Sequence, residues 1–386
     1  DENFLKNSNL VSFLKLRASY GITGNQEYGD FDYLGTIALG APYLGQSGAT
    51  ASNIDDNNYS WERTKQFNIG FDLAFKNNRI NITVDYYRKQ TDQLILFIPL
   101  PNTTGFGGRF GNAGSLENKG LEFSLTTSNL VGAFKWNTSF NISFNRVTIL
   151  KLVNGQDITQ GSFGYSNIAR EGKELSFFLY QTENNVDPAT GKILRKDINK
   201  DGNINDDDRS IVGSPLPKYI GGFTNTFSYK GFDLSIFFQW SQGNKIYNQT
   251  REFIEGWGGN FYNTTTAGLN RWKQPGDITN VPFIGNDNNG AGYASARFLE
   301  DGSYLRLKNT TLGYTFNAKQ MSRLKILNAR IFFSAQNLLT ITNYKGYDPE
   351  VNHFTGNSQF NNIALGFDNA SYPQAKTLVA GLSINF

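Results

Sequence analysis

Between Asp197 and Asp208 the chain reads DINKDGNINDDD, with short oxygen-bearing side chains at alternate positions. Asp197, Asn199 and Asp201 fall at positions 1, 3 and 5 of a twelve-residue loop, Gly202 at 6, Ile204 at 8 and Asp208 at 12. This spacing wraps oxygens around a hard cation, the glycine permits the sharp turn, and the closing carboxylate completes the shell. Asn203 would offer its backbone carbonyl at position 7, and Asn205 would act through water at position 9. The cation that this chemistry favours is Ca2+, in a structural role that pins a long loop. Asp208 stands where the longer glutamate is usual, which weakens a bidentate contact. No amphipathic helix pair flanks the loop. The competing reading is a polar Asp-Gly turn without a metal.

Little else carries chemistry. The chain has no cysteine, which removes disulfides and thiolate metal sites. His353 is the sole histidine; it lies near Asp348 and Glu350, but one histidine cannot build a three-histidine zinc site. The glycine-rich run 105–114 lacks the Lys-Ser/Thr of a phosphate-binding loop. A Ser-Lys or two-carboxylate hydrolase survives counting, but no spacing positions one, so an enzyme is not expected. Trp257, Phe261 and Tyr262 cluster in one loop, where they could stack on sugar rings or grip peptide side chains. Packing among loops or against a partner's lid is the alternative for these three.

The elements that must hold these residues are strands. The final stretch, KTLVAGLSINF, puts Leu378, Ala380, Leu382, Ile384 and Phe386 on one face and Thr377, Val379, Gly381, Ser383 and Asn385 on the other. An exposed apolar strand edge invites aggregation in water, whereas a lipid-facing strand with both edges paired is the outer-membrane barrel solution. The same alternation predicts strands over 11–21, 61–76, 80–99, 116–128, 134–145, 219–229, 232–240, 303–316, 327–341 and 376–386. The apolar phase shifts between Leu307 and Leu312, which predicts a bulge. Short and long connections alternate, as barrels require with turns inside and loops outside. Aromatics make up 15% of the chain and hydrophobic residues 39%, a balance that suits aromatic girdles around a polar lumen. Trp136, Trp240, Tyr229 and Phe386 are placed to mark the interfacial belts. A net charge of +3 gives no reason to expect nucleic acid. The expected fold is therefore an all-β, antiparallel transmembrane barrel with long extracellular loops, in the outer membrane of a Gram-negative bacterium. The first residue is Asp1, so a mature or truncated piece is expected.

Several segments resemble the C-terminal barrel of the SusC/RagA family of TonB-dependent outer-membrane transporters. They are LKLRASYGITGN (14–25), NAGSLENKGLEF (112–123), LPKYIGGFTNTFSYKGFDLSIFFQW (216–240), DGSYLRLKNTTLGYTF (301–316), SAQNLLTITNYKGYDPEV (334–351) and the terminal strand. The resemblance implies that residues 1–386 are the last ten strands of a barrel of about 22, with the plug and the earlier strands lying elsewhere. It implies energy-coupled import of oligosaccharides or peptides, driven by the TonB-ExbB-ExbD system through that plug. It also implies a SusD-like surface lipoprotein closing over the outer loops, within a larger outer-membrane complex. The 197–208 loop is similar to dockerin-type calcium loops. A passive pore or a structural subunit of a larger assembly is the alternative function.

Overall fold

A computed structural model describes residues 10–25, 33–56, 58–160, 166–255, 263–285, 295–321, 323, 326–351 and 363–385. Ten long strands form one antiparallel sheet: β1 (Val11–Asn25), β2 (Glu62–Phe75), β3 (Ile80–Pro99), β4 (Gly108–Val131), β5 (Phe134–Leu152), β6 (Tyr219–Tyr229), β7 (Phe232–Gln242), β8 (Tyr304–Phe316), β9 (Asn328–Thr342) and β10 (Thr377–Asn385). Their order in the sheet follows the chain, so every strand pairs with the next. Among the described residues nothing joins β1 to β10, and the sheet is open.

The strands form because period-two alternation gives each a continuous apolar face. Phe67, Ile69, Phe71 and Leu73 of β2 lie opposite Arg88, Tyr86, Val84 and Ile82 of β3. The same rows continue into Leu121, Phe123 and Leu125 of β4 and Phe144, Ile142 and Phe140 of β5. These side chains are not buried: Leu16, Tyr20 and Leu382 are 77%, 67% and 62% exposed, which only a non-aqueous solvent makes tolerable. Aromatic girdles bound the band. At the short-turn rim Trp136 stacks on Phe227 at 5.8 Å, and Phe232 packs on Tyr314 at 4.6 Å. At the other rim Phe144 meets Tyr219 at 5.6 Å, and Phe140 meets Trp240 at 5.6 Å. From Phe134 to Phe144, at about 3.3 Å per residue and a tilt near 40°, the band is roughly 25 Å tall. That is the height of a barrel's lipid-facing belt. Phe386 lies outside the described residues.

The opposite face is polar and hydrogen-bonded. Arg17 of β1 bridges Asp72 of β2 at 3.0 Å and Asp85 of β3 at 2.7 Å, and Thr83 donates to Asp72. Arg330 of β9 reaches across β8 to Asp233 of β7 at 2.5 Å. Charges that span three strands suit a wet lumen.

The expected bulge lies between Leu307 and Asn309, and both flanking ladders shift there. One expectation needs correction. The glycine-rich stretch between the expected strands 80–99 and 116–128, a loop over 101–114 by its composition, is mostly strand, because Gly108–Gly114 pairs with Leu94–Pro99 and carries the β3–β4 hairpin beyond the apolar band. Glycines have no side chain with which to display alternation, and the extended partner strand supplies the pairing.

Candidate functional site

All the long connections leave the same end of the sheet, and three of them fold together there. The β5–β6 connection contributes Ile158–Gln160, Ser166–Ala169, Ser176–Tyr180 and Arg209–Gly213 as a small antiparallel sheet. The β7–β8 connection contributes Lys245–Asn248, the helix Gln249–Glu255 and Leu299–Asp301. Phe367–Asp368 from the β9–β10 connection pairs in parallel with Tyr247–Asn248. Phe177, Leu179, Tyr180, Tyr247, Phe298, Ala364 and Phe367 make a shared buried core. Asn167 donates to the carbonyls of Ile363 and Leu365, which ties the first loop to the last.

Ion pairs anchor this module to the wall. Arg306, on β8, is 1% exposed and donates to Asp348 at 2.5 Å and Glu350 at 2.8 Å. Lys308 joins Glu350 at 2.9 Å. Burial raises the Asp348 carboxyl, but the amides of Gln374 and Glu350 and the Arg306 guanidinium outweigh it, so its pKa lies below the usual range. Tyr344 donates to the enclosed Asp368 at 2.6 Å, and burial together with that carboxylate drives its phenol upward. A protonated phenol held on an enclosed carboxylate in this way forms a fixed strut.

Within the module lies a cavity of about 620 Å³ whose lining includes Gln181, Glu183, Asn280, Arg297, Glu300 and Lys345. Its volume falls in the range of small-molecule sites. Arg251 also lines it, held by Glu255 at 2.7 Å and Glu300 at 2.6 Å. Burial lowers the Arg251 pKa, but those two carboxylates outweigh it, and the net direction is up. Arg297 moves down, through burial and the nearby Arg251, and its Nε has no hydrogen-bond partner among the described residues. The cavity wall is thus polar, with one cation left under-compensated. Sequence reasoning missed it, because its lining comes from segments up to about 160 residues apart and no local spacing signals it.

The expected sugar- or peptide-gripping residues, Trp257, Phe261 and Tyr262, lie outside the described residues, as does His353. The helix Gln249–Glu255 that leads toward the aromatic group brings Arg251 to the cavity.

The Asp197–Asp208 loop sits in the β5–β6 connection and is wound by its own carboxylates. Asp197 accepts from the amides of Lys200 at 2.6 Å and Gly202 at 2.8 Å. Asn199 and Asp201 each accept from the amide two residues on. Asn203 directs its own side-chain amide toward the Asp201 carbonyl at 3.5 Å. Gly202 has φ +83°, the left-handed value for which the turn needs glycine. Asp208 is fully enclosed and accepts from the amides of Asn205 at 2.9 Å and Ile198 at 2.8 Å. The Asn205 amide, with Ile198 and the neighbouring Asp197 adding to it, lowers the Asp208 pKa. The Ile198 amide, next along the chain from Asp197, thus ties the start of the loop to its last residue. No group of three or more His, Asp or Glu side chains among the described residues is arranged to hold a metal. Asp206 connects the loop to the module core by accepting from the Tyr180 hydroxyl at 2.9 Å.

Known proteins resemble this whole arrangement. TonB-dependent receptor P3 of Formosa agariphila is 35% identical over 410 residues, which takes in 100% of this chain and 40% of that protein. TonB-dependent receptor SusC of Bacteroides thetaiotaomicron is 33% identical over 416 residues, again 100% of this chain and 39% of that protein. The structure of the RagAB peptide transporter superposes with a TM-score of 0.88 at 30% identity, over 100% of this chain and 42% of that one. The chain thus spans about two fifths of the length of the curated relatives it matches. The family model described as "TonB dependent receptor-like, beta-barrel" matches residues 4–338. With its lipid-facing belt and polar inner wall, the chain is outer-membrane barrel wall, and it belongs to the TonB-dependent receptor β-barrel family.

Proposed function

We propose that the chain forms wall and outer vestibule of a transporter that imports oligosaccharides or peptides across the outer membrane, driven by TonB-ExbB-ExbD. The observation that carries this reading is the fused outer-loop module, which holds a polar cavity on the loop side of a polar inner wall. A passive pore has no need to knit three loops together with a parallel strand and buried ion pairs. The RagAB peptide transporter, similar over the full chain, supports the peptide class, and the resemblance to the SusC/RagA family supports the oligosaccharide class. A plug carried by the remainder of the protein would couple the inner wall to TonB, and a SusD-like lipoprotein would cover the module from outside. Trp257, Phe261 and Tyr262 would contact substrate or lid. The test is growth of a deletion strain on defined oligosaccharide or oligopeptide mixtures as sole carbon source. Loss of growth on one class, restored by the full-length gene, is the expected result; unimpaired growth on both would refute it.

In the same reading the Asp197–Asp208 loop takes Ca2+ through Asp197, Asn199, Asp201, the Asn203 carbonyl and Asp208. A bound ion would take over the oxygens that now accept backbone amides and stiffen the strut to Tyr180. Asp201→Ala should then lower calcium content and speed proteolysis of the 182–208 region. Unchanged calcium and unchanged cleavage would remove the metal from the account.

A further inference from the structure

A second cavity, of about 690 Å³, opens where the lipid-facing belt ends at the loop side. Its apolar lining includes Tyr86, Leu121, Phe144 and Pro217, and its charged lining is Lys119, Arg146, Lys173 and Lys218 against the single carboxylate of Glu174. The belt residues are direct neighbours across three strands: Tyr86 faces Leu121, and Leu121 faces Phe144. The next outward row is cationic throughout, since Arg88 faces Lys119 and Lys119 faces Arg146. A step of two residues along a tilted strand is about 5 Å, so these cations stand at headgroup depth, just beyond the acyl belt. Glu117 engages Arg88 at 2.6 Å and Lys119 at 3.4 Å. Arg146, Lys173 and Lys218 make no ion pair among the described residues, and all three are exposed. Lys173 is brought there by its loop, whose backbone bonds twice to Ile149 of β5.

We propose that this cavity is a binding site for an outer-leaflet lipid that carries a phosphate on its headgroup. The acyl chains would lie on Tyr86, Leu121 and Phe144, and the phosphate would meet Arg146, Lys173 and Lys218. Charge complementarity selects this occupant over a neutral lipid. Position selects it over a soluble anion, because the cations border lipid rather than the lumen. The site is independent of what the transporter carries.

The experiment uses the full-length protein in nanodiscs of phosphatidylcholine with 10% phosphatidic acid, a monophosphate headgroup, and reads lipid retained after detergent exchange by native mass spectrometry. Each cation at an anionic surface is worth roughly fivefold in binding. Arg146→Gln with Lys173→Gln should therefore cut phosphatidic acid retention by about 25-fold, with an unchanged melting temperature. Lys89→Gln, on the same strand pair but the inner face, should leave retention unaltered. Equal retention by the double variant, equal retention of neutral diacylglycerol, or displacement by millimolar inorganic phosphate would each overturn the proposal. If the double variant melts early, Lys218→Gln alone, with an expected fivefold loss, decides the matter.

Discussion

Arg306 shows how much of the outer-loop arrangement hangs on single side chains. Its guanidinium is enclosed between Asp348 and Glu350, and the backbone amides of Gln374 and Glu350 close around Asp348. Removing one partner of a buried pair leaves an uncompensated charge, which costs about 3–5 kcal/mol. Arg306→Met should therefore free the 344–350 segment and raise its amide exchange by roughly a hundredfold or more, with β8 and β9 themselves unaffected. Exchange confined to wild-type rates would show that the latch is decorative. The carboxylates also set a pH window. Asp348 and Asp208 both have folded pKa values below the ordinary one, near 3.9 for an aspartate. A depressed carboxyl stabilises the fold above the unfolded value, and that contribution is lost as pH falls through the folded one. Protease resistance of the outer loops should be constant from about pH 8 to 5 and should fall only below about pH 4. Loosening between pH 8 and 5 would contradict this assignment. The turn at Asp197–Asp208 was legible at this scale because the residues that wind it are consecutive in the chain. The cavity was not, because Gln181, Arg251, Arg297 and Lys345 meet only after folding.

At the scale of elements, alternation made the strands legible and close approach explains their exceptions. The 134–145 and 232–240 runs display apolar and polar faces with one exception each, Thr138 and Phe237, and both are strands. The phase slip after Leu307 marked a real bulge, since an extra residue flips the faces. Gly108–Gly114 was not legible, because glycines carry no face. Gly221 of β6 illustrates a constraint that no pattern reveals: a Cβ there would meet the Trp240 ring and the Asn141 carbonyl oxygen, the latter at 2.5 Å. Gly221→Val must displace either the girdle tryptophan or the β5–β6 ladder, at about 1–3 kcal/mol. Heat-modifiable gel mobility of the barrel should show a lower melting temperature for this variant, whereas Gly132→Val, with open space around it, should leave the temperature unchanged. Equal temperatures for the two would show that the wall absorbs the side chain.

The whole molecule is an open sheet with lipid on one face, a charged inner wall on the other, and one knitted module above it. Which end is outside followed from the sequence, because connection lengths alternate. How the loops associate did not: Tyr247 pairs with Phe367 across 120 residues of intervening chain, and parallel pairing leaves no local signal. The polar ladders of Arg17 with Asp72 and Asp85, and of Arg330 with Asp233, suit a hydrated or polar lumen. The proposal is that this wall serves energy-driven import rather than leakage. The most direct test is uptake of a radiolabelled oligosaccharide or oligopeptide by cells that produce the full-length protein, with and without a protonophore. The expected result is accumulation above the external concentration that collapses when the proton gradient is dissipated. Uptake that merely equilibrates and ignores the protonophore would contradict it.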